Sequence, residues 1–134
     1  PTKSAYWYTQ AAEQGHANAQ YRLGHFCQNG LGIEIDLQKA AYWYTKAAEQ
    51  GYASAQNNLG YCYENGEGVE KDIKEAVKWY TKAAEQELAI AQFNIGICYY
   101  NGNGVEQNLE LAKYWFEKAA GNGYADARSI LEKL

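Results

Sequence analysis

The sequence predicts an all-α fold: a right-handed α–α superhelical solenoid of about 3.5 helix-turn-helix repeats of 36 residues. Three observations carry that prediction. Trp7, Trp43, Trp79 and Trp115 recur with a fixed 36-residue step. Small residues keep the same step, notably Ala12, Ala48, Ala84 and Ala120, and Gly24, Gly60 and Gly96. A fixed period between about 20 and 50 residues marks stacked supersecondary units, none of which buries its apolar face alone. Finally, apolar residues inside each unit follow helical spacing, as Ala55, Leu59 and Tyr63 do.

The elements follow in register. Residues 1–16 read as a half repeat holding a second helix (B) only, with Pro1 aligned to Leu37. Residues 17–52, 53–88 and 89–124 are full repeats, each a first helix (A) followed by helix B. Residues 125–134 read as a C-terminal capping helix, because Glu132 occupies the register of Gly24, Gly60 and Gly96. Glycine there lets helix B approach closely; a glutamate obstructs it. The N-terminal end shows no comparable cap, so it reads as a truncation and as a possible surface for self-association.

In the second full repeat, helix A runs from Ala53 to Glu64 and Asn65-Gly66 ends it, since glycine adopts the left-handed conformation of a last turn. Asp72 is placed to N-cap helix B, as are Asp36 and Asn108 in the neighbouring units. Helix B then turns Ile73, Ala76, Val77, Tyr80 and Ala83/Ala84 inward. Gly15, Gly51 and Gly123 end their B helices, whereas the corresponding residue of the third B helix is Glu87. Two alternatives stand: a strained left-handed Glu87, or a helix extended by one residue.

The run Ala-x-Ala-Gln-x-x-Leu-Gly at 53–60 is followed by Asn-Gly-x-Gly-Val at 65–69. With the run Ala-x-x-Trp-Tyr-x-x-Ala-Ala-Glu-x-Gly at 40–51, it resembles the Sel-like repeat (SLR) family, a relative of the tetratricopeptide repeat. The resemblance covers essentially the whole chain. It implies a right-handed superhelix with the A helices on its concave wall, and scaffold or adaptor work. Some cysteine-rich members bind or hydrolyse penicillin. Those members pair cysteines within a unit, and Cys27, Cys62 and Cys98 do not.

Composition excludes other classes. A net charge of −4 with no basic cluster argues against nucleic acid. No apolar run approaches the ~20 residues of a membrane helix, so no membrane insertion is expected. Three cysteines make no disulfide framework, and no asparagine opens a glycosylation sequon; both favour a cytoplasmic setting. The Asn-Gly-x-Gly loops follow helices and lack the lysine of a phosphate loop, so they read as turns. The cysteines read as buried free thiols, since neighbouring helices about 8–10 Å apart exceed disulfide reach. His16 reads as a packing residue between units, and the tryptophans read as core. Catalytic residues, metal ligands and cofactors are therefore none, and the chain is expected not to be an enzyme.

The expected role is a protein–protein interaction module that holds a peptide or helix in a concave groove. Alternatives are a purely structural solenoid or, more remotely, a penicillin-interacting protein. The face of helix A that changes from unit to unit is the candidate site: Tyr21 and His25, then Asn57 and Tyr61, then Ile90, Phe93, Ile97 and Tyr100. Asn18 and Gln28, and Ser54 and Glu64, share its registers. Four apolar residues on an exposed face mark an interaction site, unless a twist near Glu87 buries them. On this reading Phe93→Ala and Ile97→Ala change folding by no more than about 0.5 kcal/mol.

Overall fold

The computed structural model describes residues 3–134, so the reading of Pro1 lies outside the described residues. Eight α-helices and no strand occur among them: α1 (Lys3–Glu13), α2 (Ala17–Asn29), α3 (Leu37–Glu49), α4 (Ala53–Asn65), α5 (Ile73–Glu85), α6 (Ala89–Asn101), α7 (Leu109–Gly121) and α8 (Ala125–Leu131). Even-numbered helices are A helices and odd-numbered ones B helices. Each helix packs mainly on its neighbours in sequence, and more closely within a unit than between units. This is a solenoid, in which stability is a sum of units and seams.

Local chemistry sets the helix limits. The side chains of Asp36, Asp72 and Asn108 accept from the backbone N–H of Lys39, Glu75 and Leu111 at 3.0, 3.1 and 3.0 Å. Such caps contribute about 1 kcal/mol each. Gly30, Gly66 and Gly102 close the A helices in the left-handed conformation.

Within a unit, a ring of helix B rests on the glycine of helix A. A Cβ on Gly60 would stand 2.7 Å from the Tyr80 ring, and one on Gly96 2.7 Å from the Phe116 ring. Around this contact lie the fully buried Leu59 and Ile95 and the alanines of both helices.

A polar ladder crosses the seams. Gln56 donates to the Ala48 carbonyl of the preceding B helix at 3.2 Å, and accepts from Gln86 at 2.8 Å. Gln20 bonds Ala12 and Gln50 in the same way, and Gln92 bonds Ala84 and Asn122. All three glutamines are buried. Each rung thus ties three helices and satisfies a buried amide that would otherwise cost about 1–3 kcal/mol.

Glu87 takes the left-handed backbone, with φ of +68° beside +90° at Gly51 and +92° at Gly123. The helix does not run on. A non-glycine residue there costs about 1–2 kcal/mol. Its carboxylate meets Lys118 Nζ at 3.2 Å, and accepts from Asn122 Nδ2 at 3.5 Å. Those bonds hold the carboxyl below its usual range.

The tryptophans divide. Trp79 is buried and Trp43 and Trp115 are half-buried, as packing residues should be, but Trp7 is 60% exposed. Trp43 and Trp79 share surroundings with the connector ahead of their own helix, through Ile33 and Val69 respectively. His16 is likewise exposed, and it precedes α2 without capping it through its side chain.

Candidate functional site

Helix A can turn only one face to its own B helix and another to its neighbours. What remains is an open row repeated along the solenoid. In α2 the exposed positions are Asn18, Arg22, His25 and Asn29. In α4 the row holds Ser54, Asn58, Tyr61 and Asn65, and in α6 Ile90, Asn94, Ile97 and Asn101, each exposed or half-exposed.

Five of the eight residues expected to form the site lie on or beside this row. His25 is exposed, Tyr61 is 45% exposed, Ile90 40% and Tyr100 39%, and Ile97 is half-buried. Together the last four give the third unit and its border with the second an apolar surface.

The other three turn inward. Asn57 is only 7% exposed, and its Oδ1 accepts from Asn94 Nδ2 at 3.0 Å across the seam between α4 and α6. Tyr21 packs on Tyr44 and Tyr52, with ring centroids 6.0 and 5.3 Å apart. Phe93 packs on Phe116 and Tyr124 in the same way, at 5.7 and 4.8 Å. The residue that starts the next A helix (Tyr52 or Tyr124) folds over this register and covers it. Phe93 is therefore a packing residue, and Phe93→Ala costs more folding energy than a surface change. Arg22, Asn58 and Asn94, one residue further on, hold the open positions instead. A 100° step places adjacent residues on both sides of the border, and the covering ring decides between them.

Gln28 and Glu64 are also engaged: they accept the hydroxyl hydrogen bonds of Tyr44 and Tyr80, each at 2.7 Å. In the third unit the pair is Tyr100 and Phe116. Phe116 has no hydroxyl to donate, and Tyr100 is left on the surface.

The three thiols are free and buried. Burial raises the pKa of Cys27, and pushes Cys62 to about 11 and Cys98 to about 12. Thiols of that kind are poor nucleophiles. Among the described residues no three His, Cys, Asp or Glu side chains gather as metal ligands. No described helix is long and apolar enough to cross a membrane.

Comparison with known proteins agrees with this architecture. A family model described as Sel1 repeat matches residues 1–16, 17–52, 53–88 and 89–124. Among solved structures, a Sel1 repeat protein from Oxalobacter formigenes is 43% identical with a TM-score of 0.85, over 88% of this chain and 49% of that one. A protective antigen of uropathogenic Escherichia coli displaying an SLR fold is 42% identical with a TM-score of 0.88, over 92% of this chain and 26% of that one. The cysteine-rich protein B of Helicobacter pylori is 30% identical with a TM-score of 0.76, over 96% of this chain and 92% of that one. A chitin synthase regulator of Malassezia restricta is 50% identical over 36 residues, which are 27% of this chain and 2% of that protein. The chain thus spans half or less of the first two structures.

Proposed function

The chain belongs to the Sel1 repeat family, and from that premise we propose that it is a non-enzymatic scaffold whose open row of A helices grips a polypeptide partner. The row is the concave wall, and the partner lies along it as an extended peptide or an amphipathic helix. One observation carries the reading: Tyr61, Ile90 and Ile97 are exposed or half-exposed on the row, and Tyr100 beside it, at positions where the fold requires no apolar side chain. In the first unit the corresponding stretch is polar, with Asn18, Arg22 and His25. Packing does not explain the change, and contiguous apolar surface of this kind marks interaction sites. Aromatic and aliphatic anchors of such patches carry most of the binding energy, often about 2 kcal/mol or more each.

The test is a set of row variants read for folding and binding separately. Peptide arrays are probed with the wild-type chain and with the triple variant Tyr61→Ala, Ile90→Ser, Ile97→Ser. The variant is expected to lose the retained peptides while its melting temperature stays close to wild type. Equal binding by both proteins would refute the groove. Light scattering over a concentration series separates the alternative: a mass that rises with concentration, and falls in the variant, would assign the row to self-association.

A further inference from the structure

The open row carries its positive charge in one place. Arg22 is the only lysine or arginine of α2, α4 and α6, and its register mates are Asn58 and Asn94. Beyond it on the same face stands His25, where the later units have Tyr61 and Ile97. Both side chains are exposed. With Tyr21 and Phe26 they line a small hollow of about 140 Å³, and no described carboxylate lines it with them.

Neighbouring contacts orient the two donors. Arg22 Nε donates to Asn18 Oδ1 at 3.4 Å, and Asn18 Nδ2 donates to the Tyr52 hydroxyl at 2.7 Å. The guanidinium is thus held by its inner nitrogen. Its two outer nitrogens make no hydrogen bond or ion pair with any described residue. Asn29 Nδ2 lies 3.2 Å from His25 Nδ1 and donates to the His25 carbonyl at 3.0 Å. An amide N–H beside Nδ1 makes that nitrogen the acceptor, so the neutral ring carries its hydrogen on Nε2. The walls are held as well. Tyr21 packs on Tyr52 with centroids 5.3 Å apart, and Phe26 packs edge-on to Tyr8 at 5.4 Å.

This is a donor set without an acceptor. A guanidinium fork matches the two oxygens of a carboxylate, and an imidazole N–H adds a further donor. The hollow has the volume of about five waters at ~30 Å³ each, which suits the end of one acidic side chain. A phosphate would call for a cluster of arginines, and the row has one.

We propose that the first unit binds a carboxylate of the polypeptide partner through Arg22 and His25, while apolar residues of that partner lie on Tyr61, Ile90 and Ile97. The proposal rests on the open row being the partner's seat, and it names the partner's chemistry: acidic at one end and apolar at the other. Packed helices stand about 8–10 Å apart, so α2 and α6 are about 16–20 Å apart. That is the reach of about five or six extended residues at ~3.3 Å each.

The experiment follows the Nε–H signals of the two arginines, Arg22 and Arg128, by NMR. The probes are N-acetyl-aspartate N-methylamide, for a side-chain carboxylate, and N-acetylglycine, for a chain terminus. N-acetyl-asparagine N-methylamide is the neutral control. An exposed ion pair is weak alone, so the expected result is a saturable Arg22 shift at millimolar probe, with Arg128 unmoved and no response to the control. The tighter acidic probe identifies the source of the carboxylate. No saturable Arg22 shift, equal responses at both arginines, or a response to the control overturns the site. A second arm uses the peptide array. Replacing the acidic residue of a retained peptide by its amide should weaken binding to the wild-type chain about tenfold, and change little with Arg22→Gln. An equal loss with both proteins, or retained peptides that carry no acidic residue, overturns the proposal. An array that retains no peptide sinks the groove alone, and the titration still decides the carboxylate site.

Discussion

The second and third units occupy equivalent places in the solenoid and solve the same packing problem with opposite chemistry. In the second, Asn57 bonds Asn94, and Glu64 accepts from the Tyr80 hydroxyl. In the third, Phe93 stacks on Phe116 and Tyr124, and Tyr100 lies free of any such bond at the surface beside Ile97. Residues that face each other have changed together. The bonded pair Glu64 and Tyr80 has Tyr100 and Phe116 as its register mates, and the stacked pair Phe93 and Tyr124 has Asn57 and Leu88. Variation between repeats therefore has two sources. Some of it is compensated pairwise inside the fold, and some is unconstrained on the open row.

Three sets of substitutions sharpen this contrast, beginning with what the two units share. Leu59→Ala and Ile95→Ala remove fully buried side chains at one register, and each is expected to cost about 2–5 kcal/mol. Urea unfolding of both should shift the whole transition by similar amounts; a large inequality would mean the two units do not share one core.

Next comes the position where the chemistry diverges. Phe93→Ala removes a half-buried ring from two aromatic contacts and is expected to cost about 1–3 kcal/mol. Asn57→Ala leaves Asn94 without its acceptor and is expected to cost about 1 kcal/mol. If thermal melts show Phe93→Ala to be neutral, that ring belongs to the open row after all.

The smallest effect tests the pairing itself. Tyr80→Phe deletes the hydroxyl bond to Glu64 and should cost about 1 kcal/mol. Phe116→Tyr alone should gain little, because Tyr100 is a poor acceptor. With Tyr100→Glu added, a coupling of about 0.5–1 kcal/mol should emerge from the double-mutant cycle. Strict additivity would show that the pairs do not communicate.

Much of the fold was legible because it rests on local chemistry or on repetition. Asp36, Asp72 and Asn108 announce helix starts, and the 36-residue glycines announce where a ring must land. The Glu87 backbone was left open by the sequence, since nothing local tells a strained residue from an added turn. The candidate site was legible in part. His25, Tyr61, Ile90, Ile97 and Tyr100 are where a changing face predicts. Tyr21, Asn57 and Phe93 are not, because each varies along with a partner on another helix. The covering residues Tyr52 and Tyr124 were visible in the sequence as register mates of His16. Only the three-dimensional contact shows that they fold back over the preceding helix.

The glutamine ladder makes three joints of the solenoid, α1 to α2, α3 to α4 and α5 to α6, chemically alike. The helices α2, α4 and α6 each present a glutamine amide to the last turn of the helix before them and receive a side-chain amide from just past the end of the helix after them, Gln50, Gln86 or Asn122. Cutting out residues 53–88 would therefore bring Gln92 to Ala48, a junction identical to the one between Gln56 and Ala48. Adding a unit would equally create no foreign contact along the ladder. Such a chain can be lengthened or shortened by whole units in its gene without relearning how to fold, and its reach can be adjusted independently of what its surface recognises.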